Sequence, residues 1–241
     1  MRTQADPSLT LVYARLAAAW GPQHWWPGDT PFEVAVGAVL TQNTAWSNVE
    51  KAITSLKAAD AMTATGLLAL SASDLEQAIR PAGTYRVKAR YLRTLALWVA
   101  RRASGDLSSL ASEDTDALRR EILALHGVGR ETADSILLYA IGKPAFVVDA
   151  YTRRIGARLH LLPENATYDF AQQYFIAGVP EDVPLFNEFH ALLVRLAKEH
   201  CRTRPLCLAC PLEPRCPSAD ASSATQHVVS VRTMPERRSV P

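Results

Sequence analysis

The amino-acid sequence predicts an all-α fold, and two observations support that prediction. Apolar residues recur at helical spacing in one segment after another, and few runs show the apolar–polar alternation of a half-buried strand. The chain has 241 residues, of which 48% are hydrophobic and 21% are charged. This balance is typical of a globular protein, and the length is sufficient for one large domain or two smaller lobes with buried cores.

The predicted helices follow one another along the chain. The first begins at Ser8 and ends before Gly21. The second, over residues 32–41, is almost wholly apolar, which predicts a buried helix rather than an amphipathic surface helix. Residues 218–241 are polar and have no periodicity, so we expect a disordered tail there. The remaining helices are predicted over residues 46–56, 65–70, 74–80, 86–101, 114–125, 131–141, 149–161, 168–176 and 185–200.

Charge and hydropathy limit the function only weakly. The formal net charge of +2 does not by itself indicate a nucleic-acid partner. No apolar run reaches the roughly 18 residues that a membrane span needs, so no membrane partner is expected. The first residues also lack the apolar core of a signal peptide, and we therefore expect a cytoplasmic protein. Lysine is scarce and occurs only at Lys51, Lys57, Lys88, Lys143 and Lys198.

A glycine-rich turn separates the helices predicted over 114–125 and 131–141. Gly127 and Gly129 permit positive φ angles and a close approach of the backbone. The unpaired N–H groups of the following helix could then bind a phosphate, a contact that positions DNA without reading its sequence. An ordinary tight turn between two helices would have the same pattern, so the turn alone leaves both interpretations open.

Four cysteines lie close together near the C-terminus, at Cys201, Cys207, Cys210 and Cys216. An intracellular chain rarely uses such a group for disulfides, which favours a metal site. Four thiolates can bind either zinc or a 4Fe–4S cluster. Zinc sites often contain two C-x2-C pairs and this chain contains one, but the spacing alone does not decide between the two cofactors.

Two segments together resemble the endonuclease III superfamily of DNA glycosylases. Residues 125–133 (LHGVGRETA) resemble the helix-hairpin-helix of that family, with His126 where the family usually has proline. Residues 146–154 (FVVDAYTRR) resemble the segment that carries its catalytic aspartate. The resemblance implies a two-lobed helix-hairpin-helix glycosylase fold. A six-helix barrel would span 26–143 with the hairpin at about 113–142, and an iron–sulfur cluster lobe would combine 1–25 with 144–217.

The resemblance also assigns the cofactor, because endonuclease III-like proteins carry a C-terminal iron–sulfur loop. It favours a 4Fe–4S cluster on the four cysteines, although the commonest family pattern has six residues in the first gap and this chain has five. We expect the cluster to organise a DNA-facing loop. The implied partner is damaged double-stranded DNA, bound by a monomer at the bacterial nucleoid.

The resemblance further assigns the catalytic residues. Asp149 would stabilise the oxocarbenium character of the sugar as the glycosidic bond breaks, and it could also be a helix N-cap. Glu131 occupies the position where bifunctional members have the lysine that forms a Schiff base. Lys143, twelve residues further on, would lie about 18 Å along a helix axis, too far for the same pocket. We therefore predict a monofunctional enzyme that uses water, with Glu131 either orienting that water or stabilising its helix terminus.

DNA contacts are assigned to three segments. Gln42 matches the family's glutamine that enters the gap left by the flipped base, although a helix-terminal turn is the alternative. Thr84 and Tyr85 match the second DNA-inserting loop, where Thr84 is smaller than the usual apolar residue. The hairpin contributes Gly127, Gly129 and Arg130.

The substrate is predicted from an aromatic group formed by Trp25, Trp26 and Trp46. Any one of them could be a core residue, but an electron-rich aromatic wall attracts the positive charge of alkylated purines such as 3-methyladenine. The tryptophans, with residues 41–44 and 129–134, are similar to the bacterial 3-methyladenine glycosylases of the endonuclease III type. The alternatives are a glycosylase for oxidised pyrimidines or for uracil or thymine mispairs, and a non-catalytic DNA-binding or redox-responsive iron–sulfur module.

Overall fold

A computed structural model describes residues 7–26 and 28–219 of the chain. Within these ranges every regular element is helical, which confirms the predicted all-α class. Almost all of the predicted tail, from residue 220 onward, lies outside the described residues. The α-helices are α1 (Pro7–Trp20), α2 (Pro31–Leu40), α3 (Trp46–Ala58), α4 (Ala64–Ala69), α5 (Ala72–Ala78), α6 (Tyr85–Arg102), α7 (Thr115–Leu123), α8 (Arg130–Ser135), α9 (Ala150–Arg158), α10 (Tyr168–Gly178) and α11 (Val183–Glu199).

The predicted helices agree with these bounds to within a few residues, and the largest difference follows the hairpin. The sequence predicts one α-helix over 131–141, but α8 ends at Ser135 and the chain continues as a wider π-helical segment, Ile136–Ile141. Short 3-10 turns lie at Arg80–Ala82, Leu107–Leu110 and Glu213–Arg215. In the described part of the chain, no helix is both long and apolar enough to cross a membrane.

The chain divides into two compact units. Within the described residues, the larger unit consists of residues 24–147 and 180–188, and the smaller unit consists of residues 7–23, 148–179 and 189–219. Thus α2 to α8 belong to the larger unit, whereas α1, α9, α10 and most of α11 belong to the smaller one. The predicted assignment of one lobe to a barrel and the other to a cluster remains a prediction.

Helix α2 forms the centre of the larger unit. Its residues from Phe32 to Leu40 are all buried, as its apolar sequence predicts. The helix begins in a favourable way, because the Thr30 hydroxyl accepts a hydrogen bond from the Glu33 N–H and Pro31 stands in the first turn, where proline is tolerated. It packs against α3, α6, α8 and the π-helical segment. Because α2 is packed on all sides, the place of its C-terminal end within the larger unit is fixed.

Aromatic side chains form the core of the smaller unit. The ring of Phe189 lies 5.5 Å from that of Tyr13 and 5.7 Å from that of Phe175, both in edge-to-face geometry. At the end of α1, the Arg195 guanidinium lies over the Trp20 ring, 4.8 Å from its centroid. These contacts join α1, α10 and the second part of α11.

Candidate functional site

The hairpin between α7 and α8 depends on its first glycine. Gly127 has a φ of +88°, and a Cβ atom added there would lie 2.0 Å from the Tyr91 ring. Tyr91 comes from α6 and also contacts His126 edge-on, with the ring centroids 5.2 Å apart. Gly129 differs, because an added Cβ would meet nothing within 4 Å. Packing therefore requires the first glycine, whereas the second leaves open space in front of α8.

Gln42 lies beside this hairpin. Its side-chain nitrogen donates hydrogen bonds to the Gly127 carbonyl and to the Thr132 hydroxyl, each at 3.0 Å. The turn that ends α2 is thereby attached to the turn that precedes α8. The structure thus brings together two of the segments that the sequence assigns to DNA contact, and it does so through the predicted glutamine itself. Arg130 follows at the exposed start of α8.

The third predicted DNA-contacting segment has a strained backbone. Gly83 has a φ of +68°, and Thr84 has a φ of +42° in the left-handed region. A β-branched residue is rare there, and such conformations persist only where the surroundings hold them. Tyr85 then begins α6, and the guanidinium carbons of Arg80 and Arg86 lie 5.9 and 5.8 Å from its ring centroid. Thr84 is exposed and Tyr85 is half-buried.

Lys88 of α6 is a buried residue that the sequence analysis did not select. It is 2% exposed, and its ammonium donates to the Leu40 carbonyl at 2.9 Å and to the Ala82 carbonyl at 2.8 Å. Burial lowers the pKa of Lys88. A signal was present in the sequence, because Lys88 falls on the same helical face as the apolar residues Leu92 and Leu95.

The first turn of α8 carries Glu131, whose side chain is exposed. One turn further on, Asp134 is fully buried and accepts two hydrogen bonds from Arg119, at 2.7 and 2.9 Å. This bidentate pair joins α7 to α8 and was not predicted from the sequence. At the end of the following π-helical segment, the Lys143 ammonium donates to the carbonyls of Ala111 and Glu113. The amine is therefore engaged by the backbone before α7.

The three tryptophans meet around Trp26. The Trp26 ring lies edge-on to Trp25 and Trp46, with centroid distances of 6.2 and 5.4 Å. A fourth aromatic residue, Tyr139 of the π-helical segment, stacks on Trp26 at 4.9 Å and 22°. Gly37 of α2, which has no side chain, also faces the Trp26 ring, and a Cβ atom added there would lie 3.5 Å from it. The structure therefore makes Trp26 the centre of an aromatic cluster, to which Tyr139 is an addition that the sequence analysis missed.

In the smaller unit, Asp149 is the N-cap of α9. One carboxylate oxygen accepts a 2.6 Å hydrogen bond from the Thr152 N–H, and the other lies 3.7 Å from His190 Nε2. The Asp149 side chain is 15% exposed, and His190 is buried. Burial raises the pKa of Asp149, but His190 and Thr152 together lower it by more than burial raises it. The net pKa of Asp149 therefore lies below its usual range. His190 was not predicted, because its contact depends on α11 packing beside α9.

The four cysteines line one cavity of about 270 Å³ in the smaller unit. Within the described residues, no set of three or more histidine, cysteine or carboxylate side chains is grouped closely enough to bind a single metal ion. The C-terminal end of α9 holds the loop that carries the four cysteines. There, Arg158 donates to the Cys201 sulfur at 3.3 Å and to the carbonyls of Arg202 and Thr203 at 2.6 and 2.9 Å.

Comparison with known proteins places these features in one family. Residues 36–181 match the model of the HhH-GPD superfamily of base excision DNA repair proteins. The chain is 43% identical to the candidate DNA repair glycosylase MJ1434 of Methanocaldococcus jannaschii, covering 90% of this chain and 99% of the relative. It is 30% identical to the endonuclease III of Thermotoga maritima, covering 77% of this chain and 82% of the relative.

Two solved structures have a similar fold. A trapped endonuclease III–DNA covalent intermediate is 25% identical, with a TM-score of 0.77, covering 89% of this chain and 97% of that one. The Helicobacter pylori 3-methyladenine DNA glycosylase bound to 1,N6-ethenoadenine is 29% identical, with a TM-score of 0.68, covering 80% of this chain and 97% of that one.

Proposed function

Because the chain belongs to the HhH-GPD superfamily of base excision DNA repair proteins, we propose that it is a monofunctional DNA glycosylase that releases alkylated purines, such as 3-methyladenine, from damaged double-stranded DNA. The observation that carries the proposal is the state of Asp149. Its carboxylate is fixed by a backbone N–H on one oxygen, faces a buried histidine with the other and is held ionised by both.

An ionised carboxylate in a partly buried position stabilises positive charge that develops nearby. As the N-glycosidic bond breaks, the sugar acquires oxocarbenium character, and the fixed charge of Asp149 lowers the free energy of that transition state. The cap hydrogen bond keeps the carboxylate in place before the substrate arrives, so little reorganisation is needed during the reaction. His190 contributes by favouring the ionised form of Asp149.

Glutamate at the position of the family's lysine supports the monofunctional assignment. Glu131 cannot form a Schiff base, and the two lysines of the larger unit that are buried, Lys88 and Lys143, are each bound to two backbone carbonyls. Water is therefore proposed to attack the sugar, with Glu131 helping to orient it. Strand cleavage at the abasic product is expected to be weak or absent.

The aromatic cluster supports an alkylated purine as the substrate. A cationic base such as 3-methyladenine is attracted to the electron-rich faces of aromatic rings, and its glycosidic bond is already weakened. Tyr139 covers Trp26, so we propose that Trp25 and Trp46, at the edges of the cluster, provide the surfaces nearest to a flipped base. The solved structure of the Helicobacter pylori enzyme with an ethenoadenine ligand agrees with a purine substrate.

We propose that DNA is held by the hairpin, through Gly127, Gly129 and Arg130, and that Gln42, Thr84 and Tyr85 enter the duplex where the base leaves it. The two inserting segments lie in the same compact unit, which is the arrangement that simultaneous insertion requires. Removing a base from the stack costs a few kcal/mol, and side chains that fill the gap offset this cost.

We propose that the four cysteines hold a 4Fe–4S cluster rather than a zinc ion. All four cysteines line one cavity of about 270 Å³, and four cysteine thiolates are the usual ligands of such a cluster. The single C-x2-C pair also differs from the two pairs that zinc sites often contain. When bound, a cluster would cross-link the loop and supply charge that the neighbouring Arg158 offsets. A Cys210→Ser variant should lose iron and visible absorption, and a zinc-loaded wild-type protein of equal stability would contradict the assignment.

The deciding experiment measures base release from a panel of duplexes with methylated purines, oxidised pyrimidines, uracil and thymine mispairs, with and without an alkali step. Release of 3-methyladenine with strand breaks only after alkali is the expected result. Release of oxidised pyrimidines would instead favour the second candidate function, which the 30% identity to an endonuclease III supports. Duplex binding without release of any base would indicate a non-catalytic module.

A further inference from the structure

The buried ammonium of Lys88 occupies an unusual position at the ends of two helical elements. Leu40 is the last residue of α2 and Ala82 is the last residue of the 3-10 turn before α6. Carbonyl groups at helix C-termini lack partners within the helix and carry the negative end of its dipole. A single cation that donates to both carbonyls therefore closes two helix ends with one side chain, at distances of 2.9 and 2.8 Å.

Each of these carbonyls comes two residues before a side chain that the proposed function places in the DNA duplex. Gln42 follows Leu40, and Thr84 follows Ala82. The Gln42 amide is bound in turn to the hairpin, and the left-handed backbone of Thr84 needs support from its surroundings. Lys88 thus links the two inserting segments directly, whereas Gln42 links the first of them to the hairpin.

We propose that Lys88 is a positioning residue for damage recognition, which holds the Gln42 turn and the Thr84–Tyr85 turn at the spacing that lets them enter a duplex together. The inference rests on the proposed function, since it assumes that these turns insert into DNA. Two turns that moved independently would have to be ordered when DNA binds, and this cost would reduce affinity. The cost applies only where the turns insert, so binding to undamaged DNA depends on Lys88 much less.

Lys143 provides a matched control for the contribution of Lys88 to stability. It is also buried in the larger unit, and its ammonium is also bound by two backbone carbonyls, those of Ala111 and Glu113. Neither carbonyl lies within two residues of a side chain proposed to insert. The variants Lys88→Met and Lys143→Met therefore remove equivalent interactions, and only the first of them adjoins the inserting turns.

The experiment measures the dissociation constants of the full-length wild-type protein and both variants for two duplexes, one containing a tetrahydrofuran abasic-site analogue and one undamaged. A 2-aminopurine beside the analogue reports base unstacking by its fluorescence. Lys88→Met should reduce the preference for the analogue by about tenfold or more and reduce the fluorescence change. Its affinity for the undamaged duplex and the preference of Lys143→Met should stay within about twofold of wild type.

The outcomes separate the two proposals. If the wild-type protein prefers the analogue and Lys88→Met keeps that preference, the positioning role is wrong while the proposed function stands. If the wild-type protein has no preference, the proposed function fails and the positioning role fails with it. If Lys88→Met does not fold, Lys88→Arg and Lys88→Gln replace it in the same assay. Arginine, which retains the charge, should preserve more of the preference than glutamine, and the reverse order would overturn the proposal.

Discussion

Replacement of Asp149 by asparagine tests the proposed chemistry with little effect on the fold. Asparagine is as good an N-cap as aspartate, so the side-chain oxygen should keep its hydrogen bond with the Thr152 N–H at the start of α9. The substitution removes the negative charge and leaves the size of the side chain almost unchanged. We therefore expect a large loss of base release with a small change in the melting temperature.

The size of the loss follows from electrostatics. A carboxylate about 4 Å from a developing unit charge contributes about 4 kcal/mol at an effective dielectric constant near 20. The low exposure of Asp149, 15%, supports the use of this value rather than that of bulk water. Since each 1.36 kcal/mol corresponds to about a tenfold change in rate, the single-turnover rate should fall by about a thousandfold.

The assay is single-turnover release of 3-methyladenine with enzyme in excess, together with thermal unfolding and the affinity for an abasic-site analogue. Asp182→Asn is a matched control, because Asp182 also accepts a hydrogen bond from a backbone N–H near a helix start, at 2.7 Å from the Leu185 nitrogen. That variant should release base at the wild-type rate. A folded, DNA-binding Asp149→Asn protein that retained more than about a tenth of the wild-type rate would refute the electrostatic argument.

Four further substitutions test other parts of the site. His190→Gln should shift the acid limb of the pH–rate profile to higher pH, because burial raises the pKa of Asp149 and the histidine that offsets it is lost. The stability that the ionised carboxylate contributes would then be lost at a higher pH as the solution is acidified, and denaturation measured as a function of pH should show this. An unshifted pH–rate profile would exclude the coupling between His190 and Asp149. Gly127→Ala should reduce the free energy of unfolding by about 2 kcal/mol or more in urea, because its Cβ would overlap the packed ring. Gly129→Ala, with open space around its Cα, should change it by less than about 1 kcal/mol, and equal effects would contradict the packing explanation. Glu131→Lys should introduce strand cleavage through a Schiff base, which borohydride reduces to a stable protein–DNA adduct. The same adduct in the wild-type protein would show that an amine nucleophile already exists.

The helices and their order were predictable because their signals are local. A helical repeat, a capping residue and a terminating glycine or proline act within one or two turns of the chain. The almost wholly apolar sequence of α2 therefore predicted a buried helix, and its residues from Phe32 to Leu40 are buried. The same reasoning failed at Ile136–Ile141, where the winding changes to a π-helix that no local pattern distinguishes from an α-helix.

The sequence by itself determined the chemical inventory: a hairpin with two glycines, a carboxylate at a helix start, four cysteines in one loop and glutamate in place of a lysine. The tertiary structure alone decided which side chains support these groups. His190 faces Asp149, Tyr139 stacks on Trp26 and Lys88 joins the ends of two helical elements. The contacts of His190 with Asp149, of Tyr139 with Trp26 and of Lys88 with Leu40 join residues distant in the chain. A local sequence pattern has no information about which distant helix face will pack against it.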